Sequence, residues 1–389
     1  MKLNTALLLL LAAQAAALAL RFGGEPPARP DARTLAAELK VSPDGAEVEA
    51  LSIALSPKET PEAPERLSKN AVAAPAAATA VALRRGDDKA WRVESAHGYP
   101  AGPEEVSALL EKLLSRPLDA VVATRAAHHA KLRVSATTYD RALRLTVGGK
   151  ERLWYVGNGK GDAVHLRDAE GERVYRVKGL STWGDLSVDF SRFAGGPYLK
   201  VEDPAEVEVR GPGDRALRLT RAAGAAQGED AGKDAGKDAG KDAGKDAGDD
   251  ASAPTAAGWS VEGLADADVD QTNAKIFVNN ASELRPSGVA ARLPADANGA
   301  LPPALAAEWG LEGAPTVRVK GPKGEATLRV GAKGDARYVF VEGKPFIVEV
   351  ASYKVNPLRE QTLDGFLSDA VKEARAKAAE EAAAPAQAP

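Results

Sequence analysis

Two similar turns decide the organisation of this chain: Gly159-Lys160-Gly161-Asp162-Ala163 and Ala332-Lys333-Gly334-Asp335-Ala336. Short runs rich in apolar residues, typical of β-strands, lie before and after each turn. Further upstream, Trp91-Arg92-Val93 is mirrored by Trp259-Ser260-Val261. Internal similarity at long spacing is typical of repeated structural units. The sequence therefore predicts two tandem β-rich units.

Each unit is expected to contain a hairpin, one helix and an antiparallel meander, which makes the fold class α+β. The first helix is well defined because Pro103 suits its first position and Pro117 stops it. Its apolar face follows helical spacing and comprises Val106, Leu109, Leu110, Leu113 and Leu114. The second helix is weaker, with a predicted face of Val269, Asn273, Ile276 and Phe277.

Composition and patterning predict the boundaries along the chain. These are 1–21 signal anchor or signal peptide, 22–71 Pro/Ala-rich tether, 72–196 first unit, 197–358 second unit, and 359–389 carboxyl-terminal helix with a frayed tail. Within the tether, Val48–Leu55 is expected as one isolated strand. The second unit carries an insertion, 222–258, with Ala-Gly-Lys-Asp four times, and its regular glycines predict disorder. The last helix has the predicted apolar face Leu363, Phe366, Leu367, Ala370, Val371 and Ala374.

The amino terminus predicts a membrane segment. Residues 6–20 are apolar apart from Gln14, and a helix over 3–20 would span ~27 Å. A bilayer core is ~30 Å thick, which favours an uncleaved anchor over a signal peptide cleaved near Ala19. Arg21, Arg29 and Arg33 follow the run, while only Lys2 and the terminal amine precede it, so the positive-inside rule does not favour export. Export is still expected, because short amino-terminal segments of this kind usually direct it. The predicted location is the inner membrane, single-pass, with most of the chain in the periplasm.

Composition excludes several kinds of site. The 389 residues include no cysteine, which excludes disulfides, thiolate zinc sites, iron–sulfur clusters and cysteine nucleophiles. The 51 basic and 55 acidic residues give a net charge of -4, which argues against a nucleic-acid partner.

No catalytic, cofactor-binding or metal-binding residue is predicted. The four histidines are His97, His128, His129 and His165, and they form no metal-ligand motif. His97 is expected in a surface turn, while His128 and His129 are expected to face apart on a strand. Asp266, Asp268 and Asp270 begin like a calcium loop, but Gln271 and Phe277 stand where it needs Gly and Glu. We therefore expect these acids to cap a helix.

Other conspicuous motifs also have structural explanations. The glycine-rich stretch 157–162 is expected to be a hairpin loop, because a strand follows it where a phosphate loop needs a helix. Trp91 and Trp259 are expected to be core anchors. The best candidate for a contact surface is Trp154-Tyr155, because adjacent strand residues face opposite sides. Asn280-Ala281-Ser282 matches a glycosylation sequon, although a motif this short carries little weight.

Together, these features resemble the bacterial family catalogued as domain of unknown function 4340. The resemblance rests on the leucine-rich amino terminus, Trp91-Arg92-Val93, the helix over 104–114, Leu153-Trp154-Tyr155-Val156-Gly157 and Val174-Tyr175-Arg176-Val177. It extends over roughly 72–364, with the Ala-Gly-Lys-Asp tract as a departure. The resemblance implies a membrane-anchored, extracytoplasmic protein of the kind often linked to ABC-transporter systems of the gliding-motility type. It implies no catalytic or ligand residues.

These observations lead to three functional hypotheses. The first is a non-enzymatic, membrane-tethered accessory or scaffold protein, with an ABC transporter permease and ATPase as partners. The second is a secreted module that binds a cell-envelope polymer. The third is a hydrolase whose carboxylates converge only in the folded chain, which requires at least two of them in one pocket.

Overall fold

The computed structural model describes residues 33–57, 79–159, 161–213, 215–221 and 258–383. The predicted membrane segment 1–21, half of the predicted tether (22–32 and 58–71) and the insertion up to residue 257 lie outside them. Among the described residues, no helix combines the length and the apolar character that crossing a membrane requires. The chain divides into two compact units, with the boundary after Gly195.

The first unit is built on a nine-stranded sheet in which every pair of neighbours is antiparallel. Its strands are β1 (Val48–Leu55), β2 (Ala80–Arg85), β3 (Trp91–Val93), β4 (Tyr99–Pro100), β5 (Ala120–Ala123), β6 (Arg141–Val147), β7 (Lys150–Asn158), β8 (Ala163–Asp168) and β9 (Val174–Lys178). They lie in the order β4-β3-β2-β1-β6-β7-β8-β9-β5. Its helices are α1 (Leu35–Leu39), α2 (Pro103–Ser115) and α3 (Phe190–Phe193).

The second unit has an eight-stranded antiparallel sheet and a two-stranded ribbon, β10 with β14. Its strands are β10 (Leu199–Lys200), β11 (Glu206–Arg210), β12 (Ala216–Arg221), β13 (Trp259–Val261), β14 (Glu283–Leu284), β15 (Gly288–Arg292), β16 (Thr316–Gly321), β17 (Gly324–Lys333), β18 (Ala336–Val341) and β19 (Phe346–Glu349). The large sheet runs β13-β12-β11-β16-β17-β18-β19-β15. The helices are α4 (Gln271–Ser282), α5 (Pro303–Glu308), α6 (Ser352–Glu360) and α7 (Asp369–Ala383).

The two large sheets share one topology. Strands β1, β2 and β3 correspond to β11, β12 and β13; β5 corresponds to β15; and the meander β6–β9 corresponds to β16–β19. Helix α2 and helix α4 occupy the same place in chain order, between the third strand and the edge strand. The α+β class is confirmed, and so are the two matching turns, which join β7 to β8 and β17 to β18.

Strand β1 corrects the interpretation of the tether. It is a strand as predicted but it is not isolated, because it pairs with β2 on one side and β6 on the other. The repeat therefore begins with β1, which the sequence interpretation had placed outside the first unit. The Ala/Pro-rich stretch between β1 and β2 obscured this relationship, whereas the equivalent strands β11 and β12 follow each other closely.

Helix α2 matches its prediction, with all five apolar face residues buried. The predicted face of α4 is partly right: Phe277 is buried, as is Val269 just before the helix, but Ile276 is 50% exposed. Ala274, Val278 and Ala281 complete the buried side. Phe277 meets Phe366 edge-on with ring centroids 5.2 Å apart. This contact with a segment distant in sequence fixes which side of α4 faces inward.

The predicted carboxyl-terminal helix is interrupted. Residues Leu363–Phe366 form a short 3-10 turn, and Leu367 pairs with Val269 in an isolated β-bridge before α7 begins. Phe366 and Leu367 are buried, but Ala370 and Ala374 of α7 are exposed. A single apolar face from Leu363 to Ala374 is therefore not formed.

Candidate contact site

An exposed tryptophan, Trp183, lies in a tightly held loop after β9. Its side chain is 77% exposed, which is unusual for so large an apolar group. The loop closes on itself, since the amide of Ser181 donates to the Asp185 carboxylate at 2.9 Å and the amide of Gly184 donates to the Ser181 hydroxyl at 3.0 Å. Lys112 on α2 donates to the same Asp185 carboxylate at 2.7 Å. These contacts fix the loop that presents the indole.

Beneath the indole lies a buried cation. The guanidinium carbon of Arg141 is 5.2 Å from the Trp183 ring centroid, within the range of a cation–π interaction. Arg141 is only 2% exposed. Its Nε donates to the carbonyl of Leu186 at 3.1 Å and its Nη1 to the carbonyl of Asp140 at 2.8 Å. The Arg141 guanidinium is therefore held in one position, and the Trp183 ring packs against it.

Asp140 completes a charged cluster beside the indole. Its side chain is 5% exposed, and its carboxylate accepts hydrogen bonds from the amide of Asn158 and from Nε of Arg133. These groups line a cavity of about 260 Å³. We call it the Trp183 site, and it consists of Arg133, Asp140, Arg141, Asn158, Thr182 and Trp183.

The second unit shows that the sheet does not need this cluster. In the first unit, Arg141 of β6 pairs with Val156 of β7. In the second unit, the residue equivalent to Val156 is Val330, whose amide donates to the carbonyl of Pro315. The positions of Asp140 and Arg141 are thus taken by Ala314 and Pro315, which have no charge. Since the same strands form with uncharged residues there, the charged cluster is a specialisation of the first unit.

A larger cleft lies elsewhere on the first unit. It encloses about 550 Å³ and is lined by Glu38, Thr124, Arg152, Trp154, Asp168, Glu170, Gly171, Glu172, Arg173 and Tyr175. Arg152 pairs with Asp168, and this hydrogen bond raises the pKa of Arg152 above its ordinary value. We call this the acidic cleft, because four of its lining residues carry carboxylates and only two are basic.

The histidines lie in turns and on a strand and have different surroundings. His97 is exposed in a turn with a left-handed backbone, as predicted. The strand expected at His128 and His129 is wrong, because His128 ends a 3-10 turn and His129 follows it. His129 is buried, with Nε2 2.8 Å from the carbonyl of Glu172. Burial lowers the pKa of His165, which favours its neutral form. In the described part of the chain, no group of three potential ligands is placed to hold a metal ion.

Two other motifs have structural roles. Asp270 caps α4 as predicted, accepting from the amides of Thr272 at 2.9 Å and Asn273 at 3.1 Å. Asp266 and Asp268 were also expected to cap this helix, but they lie in a 3-10 turn that precedes α4. Asn280, the sequon asparagine, is only 6% exposed within α4, so its side chain is not presented to solvent.

The structure exposes neither Trp154 nor Tyr155 fully. Trp154 is 1% exposed, and Tyr155 is half-buried against Tyr139, with ring centroids 5.2 Å apart. Trp91 and Trp259 are buried, which confirms their role as core anchors. The sequence interpretation missed Trp183, although its flanking Ser181-Thr182 and Gly184-Asp185 are a turn signal that indicates an aromatic outside any strand.

All six residues of the Trp183 site fall within one family-model match. Residues 91–184 match the family described as Domain of unknown function (DUF4340). The family resemblance is thus confirmed over this DUF4340 region, which runs from β3 to the Trp183 loop. No curated protein and no solved structure matches the chain.

Proposed function

We propose that this chain is a non-enzymatic binding protein that serves as an accessory or scaffold to a membrane complex. The observation that carries binding is Trp183, a large apolar side chain held in an exposed position by a fixed loop and a buried cation. Tryptophan and arginine are the residues that most often dominate binding energy at protein interfaces. A preorganised tryptophan also loses little conformational freedom when a partner covers it.

The proposed partners are the permease and the ATPase of an ABC transporter. The support for them is the family resemblance, since the Trp183 site lies entirely within the DUF4340 region. The proposed location is the inner membrane, with one amino-terminal span and most of the chain in the periplasm. Support for the span is the apolar run over residues 6–20.

Crosslinking in intact membranes, followed by capture of the tagged protein and mass spectrometry, tests this proposal. The wild-type chain is expected to recover a permease and its ATPase. Trp183→Ala should reduce that recovery, whereas Tyr353→Ala should not. Tyr353 is a matched control because it is an aromatic residue of the second unit with 69% exposure.

A second arm tests the tether. Replacing 1–21 with a cleavable signal should release the protein and abolish recovery of the permease. If the unmodified protein is found free in the soluble envelope fraction with no membrane partner, the accessory role is wrong. That result would favour a secreted module that binds a cell-envelope polymer.

The acidic cleft favours a second candidate, the hydrolase. Asp168, Glu170 and Glu172 line one cleft, which meets the requirement for converging carboxylates. Incubation of the purified protein with cell-envelope polysaccharide would test this role. A hydrolase should release reducing ends, and Glu170→Gln or Glu172→Gln should stop the release. Absence of release by the wild-type protein would exclude glycan hydrolysis under those conditions.

A further inference from the structure

We infer that the acidic cleft binds an amino sugar, a saccharide ring that carries hydroxyl groups and a protonated amine. The cleft has unpaired hydrogen-bond donors at its floor and unpaired carboxylates at its rim, and such a ring supplies partners for both. The inference does not depend on the accessory role or on the Trp183 site. It names the substrate class that a hydrolase in this cleft would take, although binding itself requires no hydrolysis.

The floor of the acidic cleft is one face of the first sheet. Trp154 of β7 lies directly opposite Asp168 of β8, and Leu166 of β8 lies opposite Tyr175 of β9. Residues that lie opposite each other in an antiparallel pair, and residues two apart in a strand, point to the same face. Trp154, Asp168 and Tyr175 therefore share that face, and three paired strands hold them in place.

Two buried donors at this floor have no acceptor. Trp154 is 1% exposed, and its Nε1 has no hydrogen-bond partner among the described residues. The Arg152 guanidinium carbon lies 5.9 Å from the Trp154 ring centroid, and Nε of Arg152 is likewise buried without a partner. Burying a donor without an acceptor costs free energy. Because both residues line the cleft, a ligand oxygen that enters it can satisfy them.

The four carboxylates of the cleft fall into two groups. Two already have a basic partner, and these are Glu38 with Arg33 at 3.8 Å and Asp168 with Arg152. The other two, Glu170 and Glu172, are exposed, and their carboxylates accept no hydrogen bond from another residue in the described part of the chain. A carboxylate only accepts hydrogen bonds, and a charged donor such as an ammonium group makes the stronger one.

A hydroxylated ring fits both sets of groups. A hydroxyl group donates and accepts, so neighbouring hydroxyls on one ring can meet the floor and the rim together. The volume of about 550 Å³ lies within the ~300–1,000 Å³ of typical small-molecule sites. Among the described residues, no three potential ligands are placed to hold a metal ion, so the rim carboxylates are not arranged for a bare cation. They disfavour a polyanion, because like charges repel.

The test is a calorimetric titration of the full chain with three disaccharides that differ in one substituent of the ring. These probes are the glucosamine disaccharide, which carries an ammonium group, cellobiose, which carries a hydroxyl group there, and diacetylchitobiose, which carries a neutral acetamide. The glucosamine disaccharide is expected to bind about fivefold more tightly than cellobiose or diacetylchitobiose, because an exposed ion pair is worth up to about that factor.

The rim is tested by the double variant Glu170→Gln/Glu172→Gln. It should abolish the preference for the ammonium group but keep cellobiose binding within about twofold of wild type, because an amide oxygen still accepts from a hydroxyl. The matched control is Glu94→Gln. Glu94 is 54% exposed, pairs with Arg84 at 3.0 Å and does not line the cleft, so this variant should keep the preference.

The floor is tested by Trp154→Phe, which removes the indole N–H and keeps an aromatic ring. It should weaken all three disaccharides alike, by about fivefold, the value of one hydrogen bond. Trp91→Phe is the matched control, because Trp91 is 4% exposed and its Nε1 also lacks a partner among the described residues, but it does not line the cleft. Circular dichroism establishes folding. If Trp154→Phe does not fold, the rim variant, at exposed positions, decides the test.

The outcomes separate this inference from the proposed functions. Equal binding of the glucosamine disaccharide and cellobiose, no binding of either, or a preference that survives in the rim variant overturns the amino-sugar inference. Equal losses in Trp154→Phe and Trp91→Phe overturn the role of the floor. Binding without release of reducing ends from polysaccharide supports the inference and excludes the hydrolase. Release without a preference for the ammonium group supports the hydrolase and overturns the inference.

Discussion

Gly157 and Gly331 occupy equivalent positions in the two sheets, and in each unit another segment of backbone lies directly against the glycine. A Cβ added at Gly157 would lie 2.2 Å from the carbonyl oxygen of Leu132. A Cβ added at Gly331 would lie 2.7 Å from the carbonyl oxygen of Gly310. Real Cβ atoms do not approach oxygen so closely, so glycine is required where a segment crosses the strand.

Gly157→Ala and Gly331→Ala are therefore each expected to destabilise the protein. The added methyl group must push the crossing backbone away, which costs roughly 1–3 kcal/mol or more. Gly171→Ala is the control, because its added Cβ would have its nearest neighbour at 3.5 Å, an ordinary contact. Chemical unfolding followed by circular dichroism measures the difference. A Gly157→Ala variant as stable as Gly171→Ala would show that the crossing segment yields easily.

The sheets were largely predictable from the sequence. Strand alternation is a local signal, and 143–147, 153–156 and 164–166 all fall inside observed strands. What failed was the pairing of β1, whose partner β6 begins 86 residues after β1 ends (141 − 55). Pairing over such a distance leaves no local pattern, so the strand was recognised but its place at the centre of the sheet was not.

The contact site was not predictable from the sequence for a related reason. Burial of Arg141 depends on the loop after β9, which supplies the carbonyl of Leu186, 45 residues further along the chain. In the sequence, Asp140-Arg141 is an ordinary charged pair at the start of a strand. Only the fold brings it under Trp183 and next to Arg133.

Phe277 and Ile276 are adjacent in α4 but differ sharply in burial, which gives a direct test of the observed helix face. Phe277→Ala should destabilise the protein by about 3–5 kcal/mol, because it removes the edge-on contact with Phe366 and leaves a cavity. Ile276→Ala should change stability by less than about 1 kcal/mol, since half of that side chain is exposed. Urea unfolding of both variants measures the contrast. Equal losses would mean that Ile276 is on the buried face after all.

Arg215 is expected to stabilise the end of α6. Its guanidinium donates to the carbonyl of Leu358 at 3.2 Å and, through Nη2, to the carbonyl of Gln361 at 2.9 Å. The last carbonyls of a helix have no partner within it, so Arg215→Ala leaves them unsatisfied. The expected loss is roughly 1.5–3 kcal/mol, with partial recovery in Arg215→Lys.

The control for Arg215 is Arg218→Ala. Arg218 pairs with Glu206 at 2.9 Å but is 51% exposed, so its removal should cost less than about 1 kcal/mol. Hydrogen exchange followed by mass spectrometry would localise the effect. Faster exchange confined to α6 in Arg215→Ala fits the capping role, whereas unchanged exchange in α6 contradicts it.

Glu349 makes the stability of the protein depend on pH. Burial raises the pKa of its carboxyl above the ordinary value, because the charged form loses contact with water. Its neighbours across the sheet are Tyr338 and Gly288, and neither carries a positive charge. The folded state therefore prefers the protonated acid more strongly than the unfolded state does. The contribution of Glu349 to the free energy of unfolding is most favourable below the pKa that this residue has in the unfolded state. It is lost as pH rises through the pKa that the residue has in the folded state.

Glu349→Gln is uncharged at every pH and therefore escapes this loss. We expect the variant to be more stable than wild type at pH 7, with the difference closing as pH falls below the ordinary glutamate pKa of ~4.3. Glu312→Gln, at an exposed position, is the control and should show no such gain. Thermal melts between pH 3 and pH 8, at intervals of about one pH unit, measure the difference in stability between the variant and the wild type. A Glu349→Gln variant that loses stability at pH 7 would mean that the carboxylate is stabilised there by a cation, because loss of contact with water by itself disfavours the charged form.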